Sequence, residues 1–295
     1  SASSLGGNGR YSDDGDRNGA NGGPTESATI QNVGSVTVTM NSAAVDDDGV
    51  SGGLVAISRG GDGGQSANTV TNTTGQRGGV GGAAGSANAF NLGAVTTSGD
   101  GMAGIVAITE GGTGGNGENS GYGADGGISY DTRVGVNGTI STNGVDSDGV
   151  VAIAKGGSGG QQIASSGFAD FSSAYAGSGG DAGFVQVDGS AYFNDTDHPA
   201  PPGYTGGGAI TTHGAYSEGI VAQSIGGSGG NSQGAFVLFG NSSHDSSDGG
   251  DAGEVSVNAP VSITTFGDYS SGILAQSIGG GGGNVGDGGG LIAVS

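Results

Sequence analysis

The sequence predicts an all-β fold, a parallel β-helix or solenoid with glycine-rich excursions between its rungs. Three observations carry this. An apolar run of β-type residues recurs five times, as GLVAISRGG from Gly53, GIVAITEGG from Gly104, GVVAIAKGG from Gly149, GIVAQSIGG from Gly219 and GILAQSIGG from Gly272. Shorter extended runs, separated by turn signals, precede it. A Gly-Gly-x-Gly-Gly stretch follows each copy. Self-similarity at a spacing of tens of residues is the mark of stacked repeat architectures.

Composition bounds the answer before the repeats do. Of 295 residues, 74 are glycine, with eight Phe, eight Tyr, no Trp and no Cys. Glycine at a quarter of the chain, far above its usual ~7%, suits disorder, but the many Val, Ile and Ala in short β-type runs argue against pure low complexity. Leu, Lys, Glu and Arg are scarce, which disfavours long helices. The six Lys and Arg against 27 Asp and Glu give a net charge of −21. Such a chain repels phosphate backbones, and Arg10, Arg17, Arg59, Arg77, Arg133 and Lys155 form no basic patch, so nucleic acid is excluded as a partner. Without cysteine there is no disulfide framework and no thiolate metal site. No apolar stretch reaches the ~18 residues of a membrane helix. The opening SASSLGGNGR has no apolar core of a signal peptide, and GGGLIAVS stops as a new apolar run begins, so both ends read as cuts within a longer repetitive protein.

The repeats are separated by 51, 45, 70 and 53 residues, with the differences confined to the inserts. From Val134, VGVNGTISTNGVDSDGVVAIAKGG holds three extended runs, and VSVNAPVSITTFGDYSSGILAQSIGG from Val255 holds the same three. Asn-Gly and Asn-Ala-Pro mark the first turn, and a G-x-x-S-x-G segment marks the second. Three strands and about 25 residues make one rung. Residues 1–31 read as a glycine-rich lead-in, the end of a preceding repeat. Residues 32–295 are the repetitive solenoid, with about five repeats.

Period-two alternation assigns the faces of the third strand. Leu54/Ala56/Ser58, Ile105/Ala107/Thr109, Val150/Ala152/Ala154, Ile220/Ala222/Ser224 and Ile273/Ala275/Ser277 share a large-small-small pattern, which places them inward. The opposite face, from Val55/Ile57/Arg59 to Leu274/Gln276/Ile278, is too apolar to be fully solvated. The glycine clusters recur every third residue, a period that suits extended polyproline-II arms. Such arms are expected to leave the rung and pack back over this outer apolar face.

SSGILAQSIGGGGG from Ser270 and SEGIVAQSIGGSGG from Ser217 resemble the glycine-rich passenger repeats of large bacterial autotransporter outer-membrane proteins. The resemblance spans residues 30–295 and is sharpest in the last two copies. The first three have Ser-Arg, Thr-Glu or Ala-Lys in place of Ser-Ile. It implies a β-helical passenger exposed at the cell surface of a Gram-negative bacterium, or secreted. The signal peptide and C-terminal outer-membrane barrel would lie outside this segment. It transfers no catalytic residue.

Chemistry was sought in the acids and histidines. Asp46 to Asp48, and Asp146 with Asp148, look like halves of a calcium loop, but the equivalent positions elsewhere hold Met102 and Ala103, Tyr216 and Glu218, or Tyr269 and Ser271. The best local calcium candidates are Asp245, Asp248 and Asp251; otherwise the sequence calls for no cofactor. Polysaccharide-active β-helix enzymes use clustered carboxylates with an Arg or Lys. Here the bases fall on separate repeats, and His198, His213 and His244 lie in different loops, so no catalytic constellation is assigned. Paired Thr96/Thr97, Thr211/Thr212 and Thr264/Thr265, with Ser141/Thr142 between, suggest an ice-binding threonine row, yet only one of each pair can face outward. A glycine-rich phage-tail adhesin tip is a further relative in composition.

The function these readings favour is structural and adhesive. The partners expected are the chain itself, stacked end to end or continued in a longer protein, and glycans or host surfaces. The latter would be met by the variable inserts Asp195–Gly208 and Phe236–Asp248.

Overall fold

The computed structural model describes residues 1–11, 18–39, 51–66, 76–118, 121–163, 175–189, 207–233, 246–258 and 262–285. Every regular element among them is a strand. There is no helix among the described residues, and so none long and apolar enough to cross a membrane.

Five turns of three strands follow one another. They are β2 (Ala28–Asn32), β3 (Ser35–Thr39) and β4 (Ser51–Arg59); β5 (Ala87–Asn91), β6 (Ala94–Ser98) and β7 (Met102–Glu110); β8 (Thr132–Val136), β9 (Thr139–Asn143) and β10 (Val150–Lys155); β11 (Val185–Asp188), β12 (Ala209–Thr212) and β13 (Ile220–Ile225); β14 (Val255–Asn258), β15 (Ser262–Thr265) and β16 (Ile273–Ile278). A first strand, β1 (Ala2–Leu5), pairs with β4. Corresponding strands join in three parallel sheets, ordered β2-β5-β8-β11-β14, β3-β6-β9-β12-β15 and β1-β4-β7-β10-β13-β16. This topology is consistent with a parallel β-helix. The 31/32 boundary between lead-in and repeats falls within β2.

Register follows the repeat alignment residue for residue. Ala2, Ala56, Ala107, Ala152, Ala222 and Ala275 form one column through successive pairings. Because neighbouring third strands pair directly, each repeat contributes one layer, at the ~4.8 Å spacing of hydrogen-bonded strands. Ala56, Ala107, Ala152 and Ala222 are 0% exposed, as the inward assignment requires. Ala275 departs from it, with Ile273 beside it 47% exposed. Both stand on the terminal described rung, where no further described rung covers the interior.

The interior is narrow and filled by branched side chains from all three sheets. Val95, Ile140 and Ile210 of the second sheet face Leu54, Ile105, Val150 and Ile220 of the third, with Ala89, Val134 and Val187 from the first. The glycine that opens each apolar run makes room for this packing. A Cβ on Gly104, Gly149 or Gly219 would collide with the Cγ2 of Ile140, Ile210 or Ile263, each on the following rung. Packed cores tolerate such overfilling poorly.

The arms do not behave as the sequence suggested. The nearest atoms to their glycines belong to other arms, not to Val55, Ile57 or their outer-face counterparts. Gly23, Gly61, Gly82, Gly112, Gly127, Gly157, Gly180, Gly227, Gly250 and Gly280 each donate an N–H to the carbonyl of the glycine before it in this series, which starts at Gly7. The series alternates between arms leaving a rung and arms returning to the next. Other arm amides bond to the same-direction arm one repeat on, every third residue: Gly60 to Glu110, Gly63 to Thr113 and Ser66 to Asn116.

The third amide of the triplet is often met by a side chain. The Oδ1 atoms of Asn8, Asp62, Asn116 and Asn231 accept from Asp62, Thr113, Gln161 and Asn284 on the leaving arms, and those of Asn18, Asn21, Asp125 and Asp181 from Arg77, Val80, Ser178 and Asp251 on the returning arms, at 2.8–2.9 Å. Closing backbone against backbone satisfies amides that a covering of the outer face would leave open. Burial of the outer face is mixed: Val55, Ile108, Val151 and Val221 are half-buried, whereas Ile57 and Val106 are buried.

Candidate interaction surface

The corner between the second and third strands carries the least routine geometry. Its backbone is fixed by buried hydroxyls. Ser147 Oγ accepts from Met102 N–H at 3.2 Å and Ser217 Oγ from Ser147 N–H at 2.9 Å, and Ser270 Oγ accepts from Ser217 N–H at 3.0 Å. The same serines donate back to the carbonyls of Gly99, Gly144 and Gly214. The inward threonines Thr97, Thr142, Thr212 and Thr265 close the corner by donating to the carbonyls of Met102, Ser147, Ser217 and Ser270. This is why Ser recurs in G-x-x-S-x-G and why Thr97, Thr142 and Thr212 are buried while their pair-mates are not; Thr265, on the terminal described rung, is half-buried.

One residue before the serine, or before Met102 at the aligned position, the backbone turns left-handed in four successive repeats. Gly101 has φ +70, Asp146 +53, Tyr216 +53 and Tyr269 +59. Glycine takes this conformation freely and Asp tolerates it, but a bulky residue there costs roughly 1–3 kcal/mol. The two tyrosines stack, with centroids 5.2 Å apart and planes 9° from parallel. Beside them His213 and Phe266 stack at 5.1 Å and 18°. A stacked pair contributes about 0.5–1.5 kcal/mol beyond the surface it buries, which acts against the strain of the two tyrosines. Tyr216 is 52% exposed and His213 is exposed as well, whereas Phe266 and Tyr269 stand on the terminal described rung, where no further described rung covers them. The tyrosine positions were visible in the sequence, but only as failures of a calcium pattern. The signal that singles them out is Gly101 at the aligned site.

Acids surround these rings. Asp146 continues the tyrosine column, Asp268 adjoins Tyr269, and both are exposed. On the other side of the serine, Asp148 and Glu218 lie on adjacent rungs, and Asp148 Oδ1 accepts the Glu218 N–H at 2.7 Å. Burial, reinforced by a side-chain hydrogen bond to Glu218, pushes the Asp148 carboxyl up to about 7. Aligning the repeats set Glu218 at the position equivalent to Asp148, 70 residues away, but the two were weighed only as calcium ligands, so the carboxyl pair was missed.

Four of the chain's cations are placed elsewhere. Arg59 and Lys155 flank Glu110 at 3.3 and 2.7 Å in one column at the end of the third sheet. Arg77 lies over Tyr122, which stacks on Tyr175, and Arg133 lies over Phe184 and pairs with Asp131.

Of the calcium candidates, Asp248 and Asp251 are exposed, three residues apart on a returning arm, where their carbonyls accept from Gly179 and Ala182. Asp245 lies outside the described residues, as do Asp46–Asp48, His198, His244, most of the two variable inserts and Leu291–Val294. Among the described residues, no group of three or more His, Asp or Glu is arranged to hold a metal ion. Comparison with protein-family models, with curated proteins and with solved structures found no match.

Proposed function

We propose that the chain is a β-solenoid segment whose glycine arms run as polyproline-II helices, and that it serves as a rigid structural and adhesive element of a bacterial cell-surface or secreted, autotransporter-like protein. The observation that carries this reading is the glycine ladder from Gly7 to Gly280. It crosses the described repeats without a break, alongside three parallel sheets, and so stiffens the chain along its length. The three-residue period of the arm hydrogen bonds supports the polyproline-II conformation, which repeats every three residues. Quasi-one-dimensional stacks of this kind supply stalks and extended surfaces. The paired carboxyls favour no enzyme, because Asp148 already serves as a register acceptor for the next rung.

The segment acts by extending a surface away from its anchor, and the inserts between arms supply its contacts. End-to-end association, within a longer chain or between copies, belongs to this proposal, since a strand edge without a partner strand favours pairing with a further rung. Light scattering of the isolated segment across a salt series tests this. Growth of elongated particles as salt screens the charge supports the reading, and a compact monomer at every ionic strength contradicts it.

A further inference from the structure

Asn-Gly pairs begin at Asn8, Asn18, Asn21, Asn116, Asn137 and Asn143. Such a pair is chemically labile, because a glycine nitrogen carries no neighbouring side chain to block its approach to the asparagine amide. The fold treats these pairs differently. Four lie in the arms, and each is clamped by one residue of the same-direction arm one repeat on. Gly9, Gly19, Gly22 and Gly117 donate their N–H groups to the carbonyls of Asp62, Arg77, Val80 and Gln161 at 2.6–2.9 Å. The N–H groups of those same residues donate to Oδ1 of Asn8, Asn18, Asn21 and Asn116 at 2.9 Å. Nitrogen and side-chain amide are thus tied to a common partner, and their reaction requires the arms to open. At Asn137 the following Gly138 N–H donates to the Asn91 carbonyl at 2.9 Å.

Asn143–Gly144 has no such clamp. It stands at the corner after β9, which pairs with β6 on one side and β12 on the other. Asn143 is exposed, and its Nδ2 reaches the Thr97 carbonyl only at a long 3.5 Å. Among the described residues, the Gly144 N–H has no hydrogen-bond acceptor. Glycine is obligatory here, since a Cβ on Gly144, Gly214 or Gly267 would collide with the carbonyl of Gly99, Gly144 or Gly214. The residue before it is free to vary, being Ser98, Asn143, His213 and Phe266 in successive repeats. One repeat therefore sets an amide side chain against a glycine that the fold cannot replace.

We infer that Asn143 is a site of spontaneous modification, at which deamidation to isoaspartate uncouples two rungs of the solenoid. The Gly144 nitrogen gives its proton to hydroxide and bonds to Asn143 Cγ, and Nδ2 leaves as ammonia with a proton from water. Water then opens the five-membered imide at either carbonyl. Opening at Cγ gives aspartate. Opening at the main-chain carbonyl gives isoaspartate, whose main chain runs through Cβ and Cγ and gains an atom. That atom enters between β9 and Ser147, whose Oγ accepts the Met102 N–H of the preceding rung. The same change removes the peptide carbonyl of Asn143, which accepts the Gly99 N–H at 2.8 Å.

Prolonged incubation of the whole chain in mildly alkaline buffer tests this, read by peptide mass mapping that separates aspartate from isoaspartate. Folded protein is compared with protein in urea. In the folded chain Asn143 should convert at least about tenfold faster than Asn8, Asn18, Asn21 and Asn116, which react only through local opening. In urea these rates should converge. Arm amides lost as fast as Asn143, or an Asn143 that persists when folded at the rate of the clamped pairs, would overturn the inference. Asn143→Ser copies Ser98 of the preceding rung and should fold like the parent. The aged parent should melt lower than the fresh parent, whereas aged and fresh Asn143→Ser should melt together. Equal melting of fresh and isoaspartate-bearing parent, or an equal loss in the variant, would overturn the uncoupling. Comparing fresh with aged protein within each chain keeps the test valid should the substitution itself shift the melt.

Discussion

The hydroxyl of Ser217 accepts the amide N–H of Ser147 at 2.9 Å, across 70 residues of chain and with both side chains fully buried. The longest insert of the protein lies between them, yet the rungs on either side meet in the same register as rungs 45 residues apart. Register in this fold is set at the corners, and insert length does not disturb it. Ser217→Ala leaves the Ser147 N–H buried without its acceptor and removes the donor to Gly144. It should destabilise by about 1–3 kcal/mol. Thermal or denaturant unfolding of the variant checks this; an unchanged midpoint would show that the ladder carries no energy.

Glycine identity in the arms is a packing requirement. A Cβ on Gly180 would collide with the carbonyl of Gly127, whereas one on Gly281 would meet nothing within 4 Å. Gly180→Ala should therefore lose about 2 kcal/mol or more through forced separation of the arms. Gly281→Ala should be close to neutral. Equal effects in a melting comparison would contradict backbone-to-backbone packing.

These two sites also mark what was legible in the sequence. The third-strand faces were readable because alternation is a local property, and the Ala56–Ala222 column follows from aligning the repeats. Whether each repeat adds one layer or two was not, since nothing in the sequence says if an excursion inserts a coil of its own. Nor was the destination of the arms. A period of three says that a bare face exists, but not whether it meets the outer valines or another bare face. That choice is made by amides such as those of Gly61 and Gly82, which only a partner arm can satisfy. Carboxyl pairing at Asp148 and ring stacking at Tyr216 were missed for another reason: the alignment set Glu218 opposite Asp148 and Tyr269 opposite Tyr216, but these positions were weighed only as calcium ligands and not as neighbours on adjacent rungs.

Asp148 makes stability depend on pH. Its carboxyl stands near pH 7 in the folded chain against an ordinary value of 3.8, so the folded state binds the proton more tightly than the unfolded state. The contribution is fully present below about pH 4 and is lost as pH rises through about 7. The parent should therefore gain thermal stability between pH 8 and pH 5 relative to Asp148→Asn, in which this dependence is gone. Parallel melting curves for the two proteins over that range would contradict the assignment.

Incubation with acidic polysaccharides should release no reducing or unsaturated ends. The carboxyl pair is the feature most able to overturn this, since a raised carboxyl beside a second one resembles an acid catalyst. Turnover by the parent that disappears in Asp148→Asn would replace the structural reading with an enzymatic one.

The central claim is that glycine arms are ordered parts of the scaffold, locked to one another from Gly7 to Gly280. Amide hydrogen exchange measures this residue by residue. The account predicts that the N–H groups of Gly61, Gly127, Gly157 and Gly227, bonded at 2.8–2.9 Å to arms on neighbouring levels, exchange as slowly as the strand amides of Ala107 and Ala152 and open with them as one unit. Exchange of those glycines at the rate of an unstructured chain, while the strands stay protected, would contradict it.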